Sequence, residues 1–142
     1  GWGDPQVPAQ NSVLYYDGVL KTVGTAAEKS VALFMIPGML HCSGGPGTDT
    51  FDKMGAMTQW VEEGKKPERI VASHLTNGQV DKTRPLCPFG QVAKYNGTGR
   101  TNDAASFSCV ARPLRSRTAI RIHTTISAGS ATAPSLVRSA ST

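Results

Sequence analysis

The chain has no apolar run approaching the roughly 20 residues that a membrane-spanning helix needs, and no charged-then-apolar leader opens it. No membrane association is therefore expected. Aromatic residues are scarce, at 6%. Cysteine is scarcer still, with only Cys42, Cys87 and Cys109. These three, taken with His41 and His74, lack any zinc-binding spacing, so no metal site is expected. Gly44, Gly45 and Gly47 are not followed by the Lys-Ser/Thr pair of a phosphate loop. Apolar residues make up 39% of 142, enough for one modest core.

The formal charge of +5 would suit a nucleic-acid binder, but its placement argues otherwise. Residues 1–111 carry ten basic and ten acidic side chains, so that stretch is neutral. The excess is Arg112, Arg115, Arg117, Arg121 and Arg138. Residues 112–142 contain no acid, no aromatic residue and eleven Ser or Thr. Such a segment buries too little apolar area to offset its ordering entropy, so a disordered tail is expected. With no aromatic residue to stack on bases, it makes a poor nucleic-acid arm.

The remainder divides by its apolar spacing. Asn11 or Ser12 can cap a helix carrying Val13, Tyr16, Val19, Leu20 and Val23, ended by Gly24. Residues 31–36 are apolar throughout and stop at Pro37-Gly38, which predicts a strand buried on both faces, as in a parallel sheet. After a glycine-rich loop, Asp49 or Thr50 can cap a helix bearing Phe51, Met54, Met57, Trp60 and Val61, with Gly64 and Pro67 behind it. Phe51 and Trp60 read as core. Residues 69–73 predict a second strand, and 78–109 a polar, loop-rich segment. Helix, strand, loop, helix, strand is an α/β rhythm.

Two residues stand where chemistry would need them. His41 follows the apolar run and its Pro-Gly break. Asp4 lies 37 residues upstream in a Trp2-Gly3-Asp4-Pro5 turn. Acid then base, each at the mouth of an element, fits the later part of a Ser, acid, His order. Ser43, in Cys42-Ser43-Gly44-Gly45, sits like a nucleophile on a turn. His41, however, occupies the position where the elbow needs glycine, and Pro46 follows where a helix should start. Ser43 therefore reads as a loop hydroxyl, and His74 as structural.

Longer stretches carry a resemblance. Gly1-Trp2-Gly3-Asp4-Pro5-Gln6-Val7-Pro8, then Pro37-Gly38-Met39-Leu40-His41-Cys42-Ser43-Gly44-Gly45-Pro46-Gly47, resemble the acid-bearing and histidine-bearing segments of tannases and feruloyl esterases. Trp60-Val61-Glu62-Glu63-Gly64, Arg84-Pro85-Leu86-Cys87-Pro88 and Tyr95-Asn96-Gly97-Thr98-Gly99 continue it in order. The resemblance covers residues 1–110 and leaves 111–142 as a low-complexity tail. It implies an α/β class, the C-terminal part of an α/β-hydrolase fold. It also implies carboxylic ester hydrolysis of phenolic-acid esters, galloyl or feruloyl, small or linked to polysaccharide. Asp4 and His41 would serve a serine lying outside this chain. The resemblance pairs Cys87 with Cys109 and gives Cys42 a partner beside that serine, upstream of Gly1. It implies secretion, with Asn96 in a glycosylation sequon. No cofactor is expected in these residues, because the family's lid calcium site falls outside them. The opposing expectation is an inactive truncated fragment or a non-catalytic binding module.

Overall fold

The computed structural model describes residues 1–112. The tail expected over 111–142 thus falls, but for Ala111 and Arg112, outside the described residues.

Helix α1 spans Gln10–Val23. It starts earlier than Asn11 or Ser12 could cap it. Ala9 holds the cap position without a side-chain bond, and the Pro8 carbonyl takes the Asn11 N–H at 2.9 Å. Gly24 ends the helix at φ 71°, a conformation that costs glycine little. A 3-10 turn, Gly24–Lys29, buries Ala27. No residue of α1 is fully buried. Its hold on the body includes an edge-on contact of Tyr16 with Phe89, ring centres 6.1 Å apart.

The strand expected over 31–36 does not form. The segment is half-buried and makes one bridge, Phe34 with Pro88, while Leu33 accepts the Phe89 N–H at 2.7 Å. A strand buried on both faces needs a neighbour on each side. Among the described residues the strands pair instead into antiparallel units of their own.

Those units are β1 (Thr50–Phe51), β2 (Ile70–Thr76) and β3 (Gln79–Leu86) in the order β1-β2-β3, and a separate pair, β4 (Gln91–Tyr95) with β5 (Phe107–Ala111). Every pairing is antiparallel. The polar segment 78–109, expected to be loop-rich, therefore holds β3, β4 and the start of β5. The overlooked signal is Asn77-Gly78, at φ 52° and 76°, the residue pair that a two-residue hairpin turn demands. Between them, β2 and β3 also hold a bulge. His74 pairs with Lys82 and Leu75 with Val80, which leaves Asp81 as the extra residue.

Helix α2 spans Lys53–Glu63 and is capped by Asp52, whose carboxylate accepts the Gly55 N–H at 2.8 Å. Neither Asp49 nor Thr50 is the cap. Thr50 and Phe51 belong to β1 because they pair with Ser73 and Ala72. Gly64 closes the helix in the left-handed conformation. The core comprises Ile36, Met39, Ala72 and Leu86, with Phe34, Phe51 and Ile70 packed on it. Phe51 thus contributes as expected. Trp60 is only half-buried, beneath Lys66, and Met54, Met57 and Val61 face solvent.

A Cys87–Cys109 disulfide, with Cα atoms 5.5 Å apart, ties the end of β3 to β5 and so joins the two sheets. No helix of the described residues is long and apolar enough to cross a membrane.

Candidate active site

The segment around Asp4 and the loop 38–47 meet main chain to main chain. Trp2 donates its N–H to Ile36 O at 2.9 Å, and Gly3 donates to Met39 O at 3.0 Å. Ile36 and Met39 are buried, so the stem of the histidine loop is anchored in the core. These bonds bring Asp4 to His41 across 37 residues. Nδ1 of His41 lies 2.8 Å from Oδ2 of Asp4.

The other carboxylate oxygen, Oδ1, accepts the N–H groups of Gln6 (2.8 Å) and Val7 (2.9 Å). The turn chemistry that Asp4-Pro5 announces thus serves to aim the carboxylate. Donors to the ionised form favour it. The Val7 N–H, followed by the His41 ring, draws the Asp4 pKa from its ordinary 3.8 to about 2. Asp4 is therefore anionic throughout the neutral range. Its side chain is only 9% exposed, whereas His41 is 44% exposed. With Nδ1 committed to Asp4, the imidazole offers Nε2 as its remaining nitrogen.

The histidine loop is tightly turned. Ser43 N–H returns to His41 O, Leu40 N–H to Gly44 O, and Gly47 N–H to Gly38 O. A Cβ on Gly45 would stand 2.3 Å from Gly38 O, at φ 89°. Only glycine fits there. Cys42 is exposed and unpaired among the described residues, and it holds φ 63°, uncommon outside glycine. The hydroxyl of Ser43 makes no hydrogen bond to His41 among the described residues.

Two supports escaped the sequence reading. Asp49, taken for a helix cap, accepts the Gly44 N–H at 2.7 Å. That bond lowers its pKa. Lys82, on β3, donates to Pro46 O at 2.7 Å. Neither had a sequence signal, since each contact depends on how the hairpin folds back on the loop.

His74 lies apart from the first pair. Its Nδ1 is 2.7 Å from Oδ1 of the bulged Asp81, whose Oδ2 accepts from Thr76 at 2.8 Å. The bond from His74, then that from Thr76, lowers the Asp81 pKa. This arrangement fastens the hairpin end. Asn96 is exposed, and its side-chain oxygen accepts the Ser108 hydroxyl at 2.8 Å. Among the described residues no three His, Cys, Asp or Glu side chains gather as a metal ion would require. A cavity of about 260 Å³, lined by Trp2, Met35, Phe89 and Arg112 among others, does not include Asp4 or His41.

A half-buried carboxylate that fixes an exposed imidazole, on segments of this sequence, coincides with a family match. The chain belongs to the tannase and feruloyl esterase family, whose profile matches residues 1–110. It is 42% identical over 116 residues to a mono(2-hydroxyethyl) terephthalate hydrolase of Piscinibacter sakaiensis, covering 80% of this chain and 19% of that protein. It is 34% identical over 130 residues to a probable feruloyl esterase B-1 of Aspergillus flavus, covering 78% of this chain and 25% of that one. A crystal structure of an esterase from Aspergillus oryzae matches with TM-score 0.67 and 32% identity, over 75% of this chain and 25% of that chain. The chain thus spans about a fifth to a quarter of the length of these relatives. The relatives are hydrolases or esterases by name, and the fold is shared with the Aspergillus oryzae esterase over this segment.

Proposed function

We propose that residues 1–110 are the acid-and-base segment of a carboxylic ester hydrolase of the α/β-hydrolase type, acting with a serine held on polypeptide beyond the described residues. The observation that carries this reading is the 2.8 Å bond between Asp4 and Nδ1 of His41, on a carboxylate already ionised by its own turn. The carboxylate selects the tautomer that leaves Nε2 basic. Nε2 takes the proton of the serine hydroxyl as its oxygen attacks the ester carbonyl. It then gives that proton to the departing alcohol. Water repeats the sequence on the acyl-enzyme, releasing the acid and restoring serine. Asp4 stays ionised and stabilises the imidazolium in both halves.

The substrate class is an ester of an aromatic carboxylic acid. The named relatives support it, for terephthaloyl and feruloyl esters both conjugate an arene with the scissile carbonyl, directly in the first and through a vinyl group in the second. In the same reading Cys42 is disulfide-bonded to a cysteine next to the serine, which would fix base against nucleophile, and the protein works outside the cell. The Cys87–Cys109 bridge supports an oxidising compartment.

A chimera tests the reading. Residues 1–110 replace the matching segment of the Piscinibacter sakaiensis hydrolase, and turnover of an aromatic ester is measured. Activity that falls by about 10³-fold or more in H41A, and by a comparable factor in D4A, is the expected result. Full activity in H41A would exclude His41 as the base.

A further inference from the structure

The loop carrying His41 is gripped at a point remote from Asp4. Oδ2 of Asp49 accepts the Gly44 N–H at 2.7 Å. The carbonyl of the same Gly44 accepts the N–H of Leu40 at 3.0 Å. Leu40 immediately precedes His41. Two hydrogen bonds through a single residue thus connect a carboxylate to the backbone that bears the base. The first bond is charge-assisted, roughly twice as strong as a neutral one. Asp49 has no capping duty to explain it, because Asp52 caps α2. The loop has little freedom to absorb its loss elsewhere, since Gly45 and Gly47 leave no room for a Cβ against Gly38 O and Pro37 O.

We propose that Asp49 is a positioning residue for His41: through Gly44 and Leu40 it sets where the imidazole stands relative to Asp4. It touches neither substrate nor reacting atoms. The proposal rests on the reading of His41 as base, and it explains why a carboxylate outside the pair faces back into the histidine loop. Without Asp49, Gly44 loses its anchor, Leu40 is no longer held, and His41 is freed to leave Asp4. The ring then loses the interaction that keeps the proton on Nδ1.

The test is ¹⁵N NMR of the histidine rings in the full chain, in mildly alkaline solution, where the tautomer of each ring is read directly. In the wild type His41 carries its proton on Nδ1. D4A, which removes the acceptor, defines the released state. D49A is expected to lose the Nδ1–H form of His41 to the same extent as D4A. D49N is expected to keep it, because the amide oxygen still accepts from Gly44. His74, bonded to Asp81, lies near enough to Asp49 to feel its charge, so the fold is followed instead by the backbone amide signals of β4 and β5, which stay as in the wild type. An Nδ1–H form of His41 undiminished in D49A, with those signals intact, overturns the proposal. Should D49A unfold, seen as loss of those signals, D49S replaces it. Its hydroxyl is too short to reach Gly44, and an unchanged His41 there overturns the proposal equally. Failure of the underlying reading looks different: His41 in the wild type would then already match D4A.

Discussion

Val7 gives its N–H to Oδ1 of Asp4 at 2.9 Å, and this bond acts on the carboxylate more strongly than the one from His41. The largest single cause of the lowered pKa is thus a bond from the carboxylate's own turn, with the His41 ring second. The folded pKa of Asp4, about 2, lies below the ordinary 3.8. Ionised Asp4 thus contributes stability that is complete above about pH 4 and is lost as pH falls through about 2. Asp49 and Asp81 are lowered as well, by Gly44 and by His74. Thermal unfolding followed from pH 7 to pH 2 should show a plateau and then a decline over the same acid window. A melting temperature flat down to pH 2 would contradict these carboxylate bonds.

Two glycines should respond in opposite senses. Gly18 lies within α1 with nothing near the position of a Cβ. Gly18→Ala should stabilise by about 1 kcal/mol through helix propensity alone. Gly45→Ala must force the loop open against Gly38 O and should cost about 1–3 kcal/mol. Urea unfolding of the two variants measures both.

Core and helix surface should also separate. Leu86 is 2% exposed between Ile36 and Ile70, and Leu86→Ala should cost about 2–5 kcal/mol. Met54, Met57 and Val61 form a solvent-facing stripe on α2. Met54→Gln and Val61→Thr in this chain should each stay within about 0.5 kcal/mol of the parent by the same unfolding assay.

Breaking the Cys87–Cys109 bridge by a double Cys→Ser replacement frees a loop with a sequence separation of 22. The chain-entropy argument gives a loss of about 3 kcal/mol. Amide exchange should then rise first in β4 and β5, because the bridge ties β5, and with it the paired β4, to the end of β3.

What could be read from sequence follows the range of the interaction that decides each element. Gly24 and Gly64 end helices by their own backbone freedom, and both ends were legible. The start of α2 was not, because Thr50 and Phe51 are taken by pairing with Ser73 and Ala72, far along the chain. Residues 31–36 read as a strand from composition, yet composition cannot supply neighbours. The β3 strand was hidden by Asp81, Lys82, Arg84 and Pro85, although Asn77-Gly78 marks its turn openly. At the site, Asp4 and His41 were visible because their segments resemble a known family. Asp49 and Lys82 were not, since their partners are backbone atoms, which no sequence pattern names.

The joining of the acid segment to the histidine loop by Trp2 N–H to Ile36 O and Gly3 N–H to Met39 O has a consequence for engineering. The register of the Asp4 segment against the stem of the histidine loop is written in peptide groups, which every residue but proline possesses in full. The half-exposed side chains of Trp2 and Leu40 beside it are thus free of that duty. A library randomising those two positions, with proline left out, keeps every donor and acceptor that joins the two segments.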